Sequence, residues 1–162
     1  MSQAPDHRLW PVGLSLLAAL SLEVAPLPGL TRAWAPPWLA MVIIYWSLSY
    51  PRRYGLGLAW AAGLVLDVLK GGLLGQHALA LTVVAAVTLR MHLRLRLFPI
   101  WQQAAAVGVL AGIHEFIIFW VDGIAGQAEL SWQRATPPLV AAVLWPLVTG
   151  LFDRFRRWLR GA

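Results

Sequence analysis

Six runs of predominantly apolar residues, each near the length of a bilayer's hydrocarbon core, dominate this sequence and leave few folds open to it. A helix needs about 20 mostly apolar residues to cross roughly 30 Å of hydrocarbon. The runs cover residues 9–28, 34–50, 54–69, 75–89, 99–121 and 135–152. The first is broken only by Glu23, the third contains Asp67, the fifth contains Glu115, and the last carries no charge. Pro or Gly marks most connectors, as at Pro51 and Gly71-Gly72. The expected fold is all-α: a single integral membrane domain over residues 1–162, built as a polytopic bundle of six transmembrane helices.

Composition agrees with a lipid-facing surface. Charged residues make up 12% of the chain and hydrophobic ones 59%, whereas a soluble domain carries about 25% charged residues to cover its water-facing surface. A net charge of +6 raises the question of nucleic acid. That reading requires a continuous basic face on a folded module, and here the basic residues are parcelled into short clusters between apolar runs, so no nucleic-acid partner is expected. The chain has no cysteine, which excludes disulfides, iron–sulfur clusters and thiolate metal sites. At the N-terminus the apolar run continues to Leu22, past the weak small-residue site at Ala18-Ala19, so an uncleaved first span is expected rather than a signal peptide.

The basic residues also set a direction, because Lys and Arg are retained on the cytoplasmic side during insertion. With six spans and the N-terminus inside, Arg8, Arg52, Arg53, Arg90, Arg94, Arg96, Arg154, Arg156, Arg157 and Arg160 fall on the inner side. Only Arg32, Lys70 and Arg134 fall on the outer side, and a five-span path spoils this asymmetry. Both termini are therefore expected in the cytoplasm. The tail, residues 151–162, places Leu151, Phe152, Phe155, Trp158 and Leu159 on one helical face. It can lie among anionic headgroups of the membrane lipids or simply continue the sixth helix.

Two spans share a design. Gly55, Ala59 and Gly63 recur at a spacing of four, and Asp67 is next on the same stripe. Ala104, Gly108 and Gly112 repeat the spacing, with Glu115 three residues beyond. Small residues four apart let membrane helices approach closely. Asp67 lies 14 residues beyond Arg53, and Glu115 lies 14 beyond Trp101, or about 21 Å of helical rise. Carboxylates at that depth are costly unless paired or protonated, so both are candidates for a functional or partner-binding role. A structural role stands beside it. Asp67 can pair with Lys70 three residues on, and Glu115 can be satisfied by His77, Gln76 or a backbone donor near Gly71-Gly72.

Nothing in the chain assembles a catalytic site. No nucleophile is accompanied by a base, and there is no phosphate-binding loop. His114 beside Glu115, with a distant His77, is too sparse for a metal site. Trp10, Trp34, Trp101 and Trp132 stand near span ends as an aromatic belt. Tyr45-Trp46 and Trp145-Pro146 lie deeper, where packing or a helix kink accounts for them.

An ordered set of short segments resembles the family of bacterial rod-shape-determining protein MreD, especially its proteobacterial members. The set runs from Pro37-Trp38 to Tyr45-Trp46, then Pro51-Arg52-Arg53, Gly57, Gly63, Leu66-Asp67, Gly71 and Leu74-Gly75. It continues with Trp101-Gln102-Gln103, Glu115 to Phe119-Trp120, and Val143-Leu144-Trp145-Pro146. The family's acid-Gly-Leu-Gly pattern falls on Asp67, Gly71, Leu74 and Gly75, while Lys70 replaces a usually small polar residue and Glu115 stands where relatives often have Asp.

The resemblance implies a non-enzymatic inner-membrane scaffold of the cell-elongation complex, needed for rod shape and lateral peptidoglycan synthesis and free of cofactors. Its implied partners are MreC, the actin-like MreB, and the elongation glycosyltransferase and transpeptidase. It also implies a fold like the substrate-capture subunits of energy-coupling-factor vitamin transporters. The alternative function is therefore a small-molecule capture subunit, although Glu23 on the Ser15-Ala19 stripe fits such a subunit's docking motif poorly. A proton-coupled carrier using Asp67 or Glu115 would be expected to show paired repeats, and none is evident.

Overall fold

Apolar runs bounded by Pro and Gly become helices bounded by Pro and Gly. The computed structural model describes residues 10–26, 28–127, 129 and 131–161, without the side chains of residues 30, 32 and 159–161. Arg8, and the side chains of Arg32 and Arg160, thus lie outside the described residues. Helix α1 is Trp10–Val24, α2 is the single turn Gly29–Ala33, α3 is Trp38–Ser49, and α4 is Leu56–Lys70. These are followed by α5 at Gln76–Leu97, α6 at Ile100–Ile124, a 3-10 turn at Trp132–Ala135, and α7 at Thr136–Gly161. The described residues contain no strand.

Helix α3 is the axis of the bundle. Every residue from Leu39 to Leu48 is buried, as expected of a helix that is hydrophobic on all sides and enclosed by others. It packs against α1, α5, α6 and α7, while α4 pairs mainly with α5 and α6 with α7. Trp46 donates its indole N–H to Ser15 Oγ of α1 at 2.8 Å. Trp145, fully buried, donates to Gln103 Oε1 at 2.9 Å, joining α7 to α6. In a medium without water each buried indole N–H requires such a partner.

Helix lengths depart from the six expected spans. Among the described residues, three helices are long and apolar enough to cross a membrane: Gln76–Leu97, Ile100–Ile124 and the stretch Trp132–Trp158. Helices α1, α3 and α4 have 15, 12 and 15 residues, and α3 rises only about 18 Å. Pro37 and Pro51 bound α3, and neighbouring helices enclose its length between them. The stretch Arg90 to Arg96, which falls between the fourth and fifth expected spans, is the last part of α5. Its Leu and Arg residues are good helix formers, Leu95 is buried in the core, and Arg94 and Arg96 complement the negative end of the helix dipole. The tail continues α7 without a break, and Phe155 meets the Trp10 ring edge-on at 6.0 Å.

The charges segregate to the two ends of the bundle. Arg52, Arg53, Arg90, Arg94, Arg96, Arg154, Arg156 and Arg157 lie at or beyond the C-terminal ends of α3, α5 and α7. All except Arg156 are exposed. Glu23, Asp67, Lys70, Asp122 and Arg134 lie at the opposite end.

Candidate functional site

The turn from α4 to α5 builds the first half of the site. A helix start leaves its first N–H groups without partners inside the helix. Asp67, on the buried face of α4, supplies the acceptors. Its Oδ2 accepts from Gly75 N at 2.8 Å, and its Oδ1 accepts from His77 N at 2.9 Å and contacts His77 Nδ1 at 2.8 Å. The carboxylate also sits at the positive end of the α5 dipole. Gly71 and Gly75 adopt φ of 64° and 96°, which L side chains rarely accept. These two positions fold the chain back so that Asp67 reaches the next helix.

Gly63, one turn before Asp67, permits this approach. A Cβ at Gly63 would lie 2.3 Å from Ala78 Cα and 2.5 Å from Ala78 N. Gly63 and Asp67 thus act together on the first turn of α5, one by leaving space and the other by accepting hydrogen bonds.

The second half lies between α1, the chain leading into α3, and the end of α4. Lys70 pairs with Glu23 at 3.2 Å rather than with Asp67, because Asp67 is turned toward α5. Glu23 Oε2 also accepts from Leu39 N at 3.4 Å, at the start of α3. Beside this pair is a cavity of about 550 Å³ whose lining includes Glu23, Lys70, Trp38 and Glu115. Glu115 meets His114 Nδ1 at 3.3 Å. The His114 ring lies 6.0 Å from that of His77, which in turn binds Asp67. Gln76 bonds not to Glu115 but to Asp122 Oδ1, at 2.6 Å. Asp122 also pairs with Arg134 at 2.9 Å, tying α6 to the turn before α7. Among the described residues no three His, Asp or Glu side chains converge as metal ligands.

The small-residue stripes divide between inside and outside. Ala59 and Gly63 are buried against α5 and the core, and Ala104 packs partly buried against the core. A Cβ at Gly108 would lie 3.0 Å from Ala142 Cβ, so that glycine serves the contact of α6 with α7. Gly55 and Gly112 have no neighbour within 4 Å of such a Cβ. Gly112 instead borders a shallow groove with Glu115, Phe119 and Arg134.

The arginine-rich end holds a second polar cluster that no spacing in the sequence announces. Tyr45 donates to Asp153 at 2.7 Å, and Arg156 NH1 donates to Ser49 Oγ at 3.2 Å and to Tyr45 OH at 3.3 Å. Its guanidinium lies 5.1 Å from the centre of the Tyr50 ring. Asp122 and Asp153 are likewise not marked by the sequence as members of any site, and Gln76 is marked only as a possible partner of Glu115. Their only signal is that of polar residues at span ends, which an aqueous interface explains equally well.

Comparison with known proteins matches this architecture to one family. A family profile described as rod shape-determining protein MreD matches residues 8–155. A relative named "Rod shape-determining protein MreD", from Haemophilus influenzae (strain ATCC 51907 / DSM 11121 / KW20 / Rd), is 32% identical over 139 residues. The aligned region covers 86% of each chain. No solved structure matches. With the profile spanning nearly the whole helical bundle, this chain belongs to the rod shape-determining protein MreD family.

Proposed function

We propose that this chain is a non-enzymatic scaffold of the inner membrane that docks the single-span protein MreC within the cell-elongation complex. Through MreC it would hold MreB and the elongation glycosyltransferase and transpeptidase on one platform. Membership of the family carries this reading. In the proposed path all six longer helices cross the bilayer, with the arginine-rich end and both termini in the cytoplasm, as the distribution of Lys and Arg favours.

The docking surface we assign to the outward face of α4. The close contact at Gly63 is made within the chain, so a partner helix needs a different small-residue face. Gly57 and Ala61, four apart, are both exposed beside Trp60 and Val65, and small residues at that spacing admit another helix. Asp67 then serves by shaping the α4–α5 turn beneath that face. Ala61→Leu is expected to reduce copurification of MreC and to round the cells while leaving the detergent-solubilised protein as stable as wild type. Copurification at wild-type yield overturns the placement on α4.

One observation favours a second reading, small-molecule capture: the cavity of about 550 Å³ lined by Glu23, Lys70, Glu115 and Trp38. Depletion separates the two readings, since rounded cells support the scaffold and vitamin auxotrophy supports the carrier.

A further inference from the structure

The arginine-rich end of the bundle encloses a small cavity that takes no part in the docking reading. It has a volume of about 270 Å³ and lies where the end of α3, the corner between α5 and α6, and α7 meet. Arg96 and Arg156 enter its lining from two different helices, with Ser49, Asp153 and Ile100 beside them. Two guanidiniums against one carboxylate leave a surplus of positive charge. Arg96 makes no ion pair among the described residues. Arg156 is only partly satisfied: NH1 donates to Tyr45 and Ser49 and lies 3.9 Å from Asp153 Oδ1, but the buried Nε has no hydrogen-bond partner among the described residues. A buried donor without an acceptor is uncommon, and its presence beside an anion-sized cavity points to an acceptor supplied from outside the chain.

Two further features agree. Ile100, the first residue of α6, lines the cavity, and α6 is 25 residues long with no side-chain cap on its start. The positive end of a long dipole therefore reaches the same space. Next to the cavity, Leu97 is 85% exposed and Ile100 48% exposed, an apolar margin along which an acyl chain can lie.

We propose that this cavity is a binding site for the phosphodiester headgroup of an anionic phospholipid, held by Arg96 and Arg156. Arginine suits the task because its planar donors match phosphate oxygens in pairs. Asp153 helps by accepting from Tyr45, which orients the hydroxyl that receives Arg156 and so positions the guanidinium. The site differs from diffuse attraction of the basic tail to the membrane, because it depends on two particular arginines rather than on total charge.

The test uses the full-length protein in neutral detergent, depleted of lipid and titrated with dioctanoyl phosphatidylglycerol, with bound lipid counted by native mass spectrometry. Saturation with one tightly held lipid is expected. The R96Q/R156Q pair is expected to weaken binding about tenfold or more, as loss of two charge-assisted contacts implies. R90Q/R157Q, which removes the same charge from positions outside the cavity lining, is expected to leave it within about twofold. If R156Q disturbs the fold, R96Q alone still reads the site, because Arg96 ties no helices together. Inorganic phosphate at equal concentration is the second arm. Displacement of the lipid by it would assign the same arginines to free phosphate, whereas retention of the lipid assigns them to the headgroup. Equal weakening by both arginine pairs, or no saturable binding of either probe, overturns the proposal. Detergent solution has no sidedness, so this outcome does not depend on membrane orientation or on MreC.

Discussion

Asp67 offers the sharpest test of how the bundle is held together. Its carboxylate accepts three backbone N–H groups, at 2.8, 2.9 and 3.4 Å, and contacts the His77 imidazole at 2.8 Å. Asp67→Ala leaves these donors, which lie in a buried to partly buried turn, with no acceptor. At about 1–3 kcal/mol for each unsatisfied donor, with loss of the favourable charge at the start of α5, the expected destabilisation is about 3–5 kcal/mol. Asp67→Asn keeps one acceptor oxygen and turns an amide NH₂ toward the donors on the other side, so about half that loss is expected. Glu115→Gln is the internal control. Among the described residues its hydrogen-bonding partner is the adjacent His114 at 3.3 Å, and its expected effect is below about 1 kcal/mol. Unfolding of the micelle-embedded protein by sodium dodecyl sulfate, followed by far-UV circular dichroism, measures all three. Refutation would be an Asp67→Ala variant within about 0.5 kcal/mol of wild type. If such a variant also failed to maintain cell shape, Asp67 would have to act on a partner rather than on α5.

Gly63→Ala should destabilise by about 2–3 kcal/mol, because its Cβ would fall 2.3 Å from the Ala78 backbone, whereas Gly112→Ala, with nothing within 4 Å, should stay within about 0.5 kcal/mol in the same assay. Trp145→Phe removes the hydrogen bond to Gln103 across α6 and α7 and should lower stability by about 1 kcal/mol, with a smaller effect when Gln103→Leu is already present. The charge swap Glu23→Lys with Lys70→Glu should restore most of what either change loses alone, since the two side chains are 3.2 Å apart. A coupling energy near zero in that double-mutant cycle would remove the pair from any account of how α1 is fastened to α4.

Features that repeat along one helix are legible in the order of residues alone. The spacing of Ala59, Gly63 and Asp67 marks one face of α4, and that face is buried. The apolar runs locate the main helices for the same reason, since periodicity and hydropathy are local properties. What the sequence conceals is which distant groups satisfy one another. Lys70 has a carboxylate three residues away and pairs instead with Glu23, 47 residues distant. The partner of Tyr45 is 108 residues away. Such pairings follow from how helices pack, and no pattern within one helix announces them. Helix ends are hidden wherever hydropathy and helical order part company. Arg90 to Arg96 is too charged for a hydrocarbon core yet remains helical, because its backbone bonds are satisfied internally whether water or lipid surrounds it.

The enclosure of α3 has a consequence for how this chain must assemble. A 12-residue helix with no lipid-facing side cannot hold a stable transmembrane position alone, since it is too short to match the bilayer and its surface is shaped for neighbours that the ribosome delivers later. Its final seat forms only after α5, α6 and α7 have been made. The N-terminal half must therefore wait in the membrane or at the translocon in a provisional arrangement. Two co-expressed pieces divided between α4 and α5 should succeed only if they meet before the first is degraded, and the yield of the reunited bundle should follow the supply of the second.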